Sequence, residues 1–208
     1  MRTLLSLLLF ALLAAPGAAP DLPPDAVAAW TEMAQVQSLE ARFVQVRHSK
    51  LLSKPIESTG TLRFARPDKM AWAVETPARS TFVMDGTLVG MAFPDLGVRE
   101  EIDLEGNPEV ARLVAGMMIW LAGDADQIAR DYAVTWTAGS PALAVLEPRS
   151  KELAAIIARL ELHIGGSPLT VQSVTIHEPD GDRVEIRLSD VSFNPTLPDG
   201  AFTLPAGG

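Results

Sequence analysis

The stretch GTLRFARPDKMAWAV, residues 60–74, decides the fold. Leu62 and Phe64 alternate with Thr61, Arg63 and Ala65, and Met70, Trp72 and Val74 oppose Lys69, Ala71 and Glu75. A period of two with one apolar face is the pattern of a half-buried antiparallel strand. Arg66-Pro67-Asp68 stands between the two runs as their turn. Upstream, ARFVQVRH (41–48) sets Phe43, Gln45 and Arg47 against Val44, Val46 and His48. Downstream, Met84-Asp85-Gly86-Thr87 is an Asp-Gly turn, and both central residues of such a pair can take positive φ, the strongest short hairpin signal.

The same signal returns at Pro179-Asp180-Gly181-Asp182. Further candidate strands lie near 57–65, 69–75, 80–84, 87–92, 97–103, 132–137, 142–147, 155–164, 169–178 and 183–192. Connections this short favour sequential neighbours, so the spacing predicts a large antiparallel meander. A sheet of so many strands curls, either into a barrel or into an open half-barrel.

Two segments break the period. AVAAWTEMAQVQ (26–37) follows prolines and places Ala26, Trp30 and Met33 on one side, which predicts an amphipathic helix. Asn107-Pro108 supplies a cap and a first-turn proline, and Val110, Leu113, Val114, Met117, Met118 and Leu121 then form a helical stripe. Ile119 and Trp120 fall on the other side, so the end of that helix is apolar nearly all round. It must be buried twice, or buried once and in contact with a greasy ligand. A short helix over DADQIARDY follows.

Composition narrows the function classes. MRTLLSLLLFALLAAPGAA has the layout of a secretory signal peptide, which predicts removal of residues 1–20 and a single domain over 21–208. The absence of cysteine excludes disulfides, thiolate chemistry and a lipid-modified N-terminal Cys. A net charge of -9 with no Lys/Arg run argues against nucleic acid as a partner. His48, His163 and His177 lie in separate strands without metal-ligand spacing, no G-x-S-x-G elbow occurs, and Gly166-Ser167-Pro168 reads as a turn. EPDGDRVE lacks the spacing of a calcium loop, and EEIDLEGNPE reads as a solvated face. No catalytic residue, metal or cofactor is therefore predicted, and the chain does not read as an enzyme. What remains is an apolar surplus of seven Met, four Trp and seven Phe. Flexible thioethers beside an aromatic, as in Met117-Met118-Ile119-Trp120, suit a surface that repacks around variable chains.

The segment from Ala41 to Gly86 resembles the periplasmic outer-membrane lipoprotein carrier family, LolA, in its A-x-F-x-Q strand, its G-x-L-x-x-x-RP-x-x-x-x-W strand pair and the Asp-Gly turn that follows. The ending VTIHEPDGDRVEIRLSDVSFNPTLPDGAFTLP is similar to that family's last hairpins and NP-x-L-P-D-x-x-F closure. The resemblance implies a mainly β fold, an incomplete antiparallel barrel of about eleven strands with covering helices. It implies a non-enzymatic periplasmic carrier, a monomer, that takes acylated lipoproteins from an inner-membrane ABC transporter to an outer-membrane acceptor. The expected acyl cavity and lid comprise Phe43, Leu62, Phe64, Met70, Trp72, Phe82, Met84, Met117, Met118 and Trp120. Arg66 matches the arginine that in this family bonds the covering helices and keeps the empty cavity closed; Pro67 holds it extended so that its guanidinium reaches free helix-end carbonyls. The stretch TLVGMAFPDLGVREEIDL lacks the aromatic-rich strand of typical carriers, and the middle of the chain looks like a divergent branch. That leaves two alternatives: a carrier of another lipid or lipid-linked pigment working with a membrane exporter, or a regulatory binding domain of an envelope-stress system.

Overall fold

Between Ser38 and Phe193 eleven strands form one antiparallel sheet, with alternating burial in most of them and an edge strand, Val98–Asp103, exposed throughout. The computed structural model describes residues 22–107, 111, 119–121 and 123–205. The predicted signal peptide, and Met117 and Met118 with most of their predicted helix, lie outside the described residues.

Six strands make a first meander: β1 (Ser38–His48), β2 (Ile56–Ala65), β3 (Lys69–Thr76), β4 (Ser80–Asp85), β5 (Leu88–Phe93) and β6 (Val98–Asp103). Five make a second: β7 (Tyr132–Thr137), β8 (Ala142–Pro148), β9 (Arg159–Gly165), β10 (Thr170–His177) and β11 (Arg183–Phe193). The order β6-β5-β4-β3-β2-β1-β11-β10-β9-β8-β7 joins the two meanders through β1 and β11 and leaves β6 and β7 at opposite edges. The sheet is therefore open, as the half-barrel expectation requires, and the chain between β6 and β7 passes from one edge to the other. Gly86 and Gly181 take φ of 62° and 89° in the two Asp-Gly turns. The connections β2–β3 and β4–β5 lie at one end of the sheet, here the Arg66 end. Those of β1–β2, β3–β4, β5–β6, β8–β9 and β10–β11 lie at the other, the far end.

The inward phase of both meanders meets in one core, with Phe43, Leu62 and Phe64 from the first and Leu146, Leu162 and Val174 from the second. Helix α1 (Pro24–Met33) enters that core with Ala26, Trp30 and Met33, and Trp30 sets its edge against Trp136 at 5.9 Å. It begins on Pro24, preorganised for a first turn, and ends four residues before the predicted limit at 37. Helix α2 (Ala125–Asp131) is capped by Asp124, whose Oδ1 accepts from the Gln127 amide at 3.0 Å. A short helix, α3 (Lys151–Ala154), corrects the strand predicted from 155: Ser150 Oγ accepts from the Leu153 amide, and this capped turn holds the chain out of the sheet until Arg159.

The outer face of the first meander is also covered, which the alternation does not announce. Ala71, Val83 and Ala92 are buried beneath Leu204 and Phe202 of the C-terminal segment. Gly90 makes room for this: a Cβ there comes within 2.6 Å of Leu204 Cδ1. Arg99 Nη1 donates to the Pro205 carbonyl at 3.1 Å and ties the segment to the edge strand.

Gly60 has a second close approach. Phe43 lies across it to stack on Trp72, with ring centroids 4.0 Å apart and planes 24° from parallel. A Cβ at Gly60 sits 2.0 Å from the Ala73 carbonyl oxygen and 2.6 Å from Phe43 Cζ. The backbone oxygen cannot move without breaking the β2–β3 ladder, so Gly60→Ala is expected to destabilise the fold by about 1–3 kcal/mol or more. Urea denaturation followed by tryptophan fluorescence measures this; an unchanged midpoint contradicts the packing described.

Candidate functional site

The phase that places Phe43 and Leu62 in the core also places larger side chains over open space. Met70 and Trp72 of β3, Phe82 of β4 and Met91 of β5 point to the concave side, and with Trp120 they line one wall of a cavity of about 740 Å³. The opposite wall comes from the second meander: Leu160 of β9, Ile176 of β10, and Val184 and Ile186 of β11. Ala155, Ile156 and Ile157, just after α3, complete it. Strands distant in the sheet order thus face one another across the cavity, which shows how strongly the sheet curls.

Four of the predicted lining residues, Met70, Trp72, Phe82 and Trp120, come together here. Phe43, Leu62, Phe64 and Met84 are buried in the packed core instead, Phe43 supporting Trp72 from beneath. Phe64 and Trp120 also bound a small void of about 20 Å³ against Met33 and Val36 at the end of α1. Trp120 therefore separates that void from the main cavity. Met91 and the residues of β9–β11 were not singled out from sequence, although the strand phase carried the signal. Ile176, Val184 and Ile186 share the inward register that the Pro179–Asp182 turn sets.

Arg66 lies where β2 turns into β3. Its Nε donates to the Val36 carbonyl at 2.8 Å and Nη2 to the Met33 carbonyl at 3.4 Å, while its backbone N–H donates to the Gln37 carbonyl at 2.9 Å. The Met33 carbonyl also accepts the Val36 amide at 3.2 Å, and Val36 lies just past the helix, so the guanidinium closes the turn by which the chain leaves α1. The guanidinium lies 5.7 Å from the Phe64 ring centroid. Burial lowers its pKa while the charge of Asp124 raises it; a guanidinium stays protonated in either case.

Polar groups collect at the far end of the cavity. Gln45, Arg47, Glu178 and Asp180 line it there. Arg47 holds Glu178 in a two-pronged bond of 2.9 and 3.0 Å. Asp182 accepts the Lys50 amide at 2.9 Å, and Lys50 Nζ donates to the Asp180 carbonyl at 2.6 Å. The carboxylates of Glu178, Asp180 and Asp182 lie within 4.8 Å of one another. Arg47 and the β1–β2 loop already answer them, so the cluster reads as the knot that ties two loops. Ser49 and the Lys50 amide hold the Asp182 carboxyl below its ordinary pKa.

The three histidines stand on outward positions, away from the cavity. His48 faces Glu185 at 3.2 Å, His177 faces Glu161 at 3.1 Å, and His163 Nδ1 meets Ser173 Oγ at 3.2 Å. These are cross-strand surface pairs. The cavity's own chemistry is burial of apolar matter with polar groups confined to one end.

The family model described as outer membrane lipoprotein carrier protein LolA matches residues 34–205. Among named relatives, an outer-membrane lipoprotein carrier protein of Pseudomonas paraeruginosa is 26% identical over 170 residues, covering 81% of this chain and 77% of its own. One from Pseudomonas fluorescens is 25% identical over 201 residues, covering 96% and 93%. Among solved structures, an uncharacterized conserved protein from Thermus thermophilus superposes with a TM-score of 0.54 at 8% identity over 88% of this chain and 93% of its own. MucB does so with a TM-score of 0.53 at 13% identity, over 89% of this chain and 64% of its own. Both structures share the fold.

The depressed pKa of Asp182 makes the loop knot sensitive to acid. Its contribution is complete above about pH 4, the ordinary carboxylate value, and is lost as the pH falls through the lowered one. The hydrogen-exchange protection factor of the Lys50 amide is expected to fall as the pH is taken down through and below the carboxylate range, and to be low at every pH in Asp182→Ala, which has no side-chain acceptor. Wild-type protection of the Lys50 amide in Asp182→Ala removes Asp182 as the anchor.

Proposed function

The chain belongs to the outer membrane lipoprotein carrier protein LolA family, and from that premise we propose that it carries acylated lipoproteins across the periplasm, holding their acyl chains in the cavity between the two meanders. The observation that carries this reading is the cavity itself. At about 740 Å³ it falls within the range of ligand sites, and its walls are aromatic, aliphatic and thioether. Each acyl methylene buried there contributes about 0.8 kcal/mol, so one or two fatty chains bind tightly without specific contacts. Residues 21–208 act as one carrier once residues 1–20 are removed, with an inner-membrane ABC transporter as donor and an outer-membrane acceptor as recipient.

Tight capture makes release the harder step, and Arg66 serves it. By bonding the Met33 and Val36 carbonyls it holds α1 against the β2–β3 turn and favours the empty, closed state. Hydrogen bonds to a charged group are worth about 1.5–3 kcal/mol, enough to bias the cycle toward emptying yet small enough to be overcome by entering cargo. Arg66→Leu is expected to capture cargo normally and to deliver it at least about tenfold more slowly. Delivery at the normal rate in a transfer assay rules out the latch.

The cargo is read directly by purifying the exported protein without detergent, extracting it with organic solvent and identifying the extract by mass spectrometry. Acylated peptide or intact lipoprotein is the expected result. Free lipid, glycolipid or pigment assigns the same cavity to another cargo. A protein that yields nothing and takes up no fluorescent acyl probe overturns the carrier reading. Met91 lines the cavity yet is 42% exposed, so Met91→Asp tests the site without threatening the core and is expected to weaken probe uptake roughly tenfold or more.

A further inference from the structure

The two edges of the sheet differ in what they adjoin. Among the described residues neither β7 nor β8 lines the large cavity, and β7 sets Trp136 against Trp30 of α1. β6 stands directly beside the cavity wall, because Met91 of β5 faces Glu100 across the β5–β6 pair. Val98 and Ile102 share the inner side with Glu100, and both are exposed, as Met91 is, so the apolar wall runs on to the rim of the sheet. The backbone of this strand is half used. The Leu104 amide donates to the Thr87 carbonyl at 2.8 Å, and hydrogen-bonded pairs recur at every second residue of an antiparallel ladder, so Ile102, Glu100 and Val98 turn their amides to β5. Arg99, Glu101 and Asp103 turn theirs outward, and among the described residues β6 pairs on one side alone. Asn107 Nδ2 donates to the Asp103 carbonyl at 2.8 Å and closes that end of the edge.

We propose that the β6 edge takes up, as an added strand, the extended polypeptide that follows the acylated end of the cargo. The occupant follows from continuity. A polypeptide joined to acyl groups that lie against Met91 meets β6 one strand spacing, about 4.8 Å, further on. Main-chain pairing on an exposed edge holds an extended segment whatever its side chains, which suits cargoes that share an acyl group and differ in sequence. Charge then selects among them. Glu100, Glu101, Asp103 and Glu105 stand here against Arg99 alone, and Arg99 is already bonded to Glu101 at 2.6 Å and to the Pro205 carbonyl at 3.1 Å. Charge of one sign on an edge strand discourages pairing with a second copy of the chain, and it favours a segment bearing lysine or arginine over one bearing glutamate. The proposal rests on the acyl-carrier reading, since it places the polypeptide part of the same cargo.

The test compares three probes on the exported, processed protein: a fluorescent fatty acid, and two peptides acylated at the N-terminus with the same chain, one bearing lysines next to the acyl group and the other glutamates. Amide hydrogen exchange followed by NMR reads the edge. The outward amides of Arg99, Glu101 and Asp103 are expected to exchange fast in the empty protein and with the fatty acid, and to slow roughly tenfold or more with the lysine peptide. That peptide is expected to bind at least about threefold more tightly than the glutamate one. Glu101→Pro removes one outward amide and leaves the ladder to β5 in place, so it is expected to bring the lysine peptide down to the affinity of the fatty acid, whereas Glu101→Ala keeps the amide and most of the peptide's advantage. The proposal is overturned if the three amides are already protected in the empty protein, if the fatty acid slows them as much as the peptide does, if the glutamate peptide binds as tightly as the lysine one, or if Glu101→Pro binds the lysine peptide as the wild type does. Fatty-acid uptake with the β6 amides unmoved by either peptide rejects the edge alone, whereas uptake of none of the three probes rejects the carrier reading and the edge with it.

Discussion

The pairing of β1 with β11 is the bond on which everything else in the molecule depends. It runs from Leu39 opposite Phe193 to His48 opposite Arg183, and it is the one junction between two meanders that are otherwise local. Asn194 secures one end: its side-chain oxygen accepts the amides of Gln37 and Ser38, and its own amide donates to the Ser38 carbonyl. Arg47 with Glu178, and Lys50 with Asp180 and Asp182, secure the other. This junction sits at the middle of the strand order, and the two edges it leaves, β6 and β7, do not pair with each other. An open concave face follows, and with it a need for α1 and a cavity. Packing inside that face then divides the inward residues into two kinds. Phe43 and Leu62, near the junction, find partners and are buried; Trp72, Phe82 and Met91, further out, face space.

Much of this could be read from the chain because hairpins are local. An Asp-Gly pair fixes a turn, the turn fixes the register, and the register assigns each side chain a face, so Met70, Trp72 and Phe82 were identifiable as inward residues. Arg66 was legible mainly through the family resemblance of its Arg-Pro motif. Its partners are backbone carbonyls, which every helix end provides whatever its sequence.

What escaped reading was non-local or hidden by competing patterns. Alternation cannot say which strand lies beside β1, so the sheet reads as a single meander when it is two. Residues 155–158 carry apolar side chains that fit a strand, yet Ser150 captures the Leu153 amide first and a helical turn forms. The burial of Ala71, Val83 and Ala92 on the outer face shows in sequence only as small residues between large ones; the leucine that covers them arrives from more than a hundred positions away. The far wall of the cavity was missed because Ile176, Val184 and Ile186 look like ordinary strand residues until the curl of the sheet brings them opposite Trp72.

The late position of β11 has a bearing on how the molecule comes into being. A chain emerging N-terminus first presents β1 to β6 long before Phe193 exists to complete the junction, and Leu204, which shields the back of β3 to β5, comes later still. Until then the first meander has one unpaired side strand and two uncovered faces, and contacts this distant in sequence are slow to form. The β1–β11 junction and the cover over the outer face are therefore expected to be the last contacts to form. On the proposal that the chain is exported, such a delay is an asset, since the order of its strands would postpone folding without any added device.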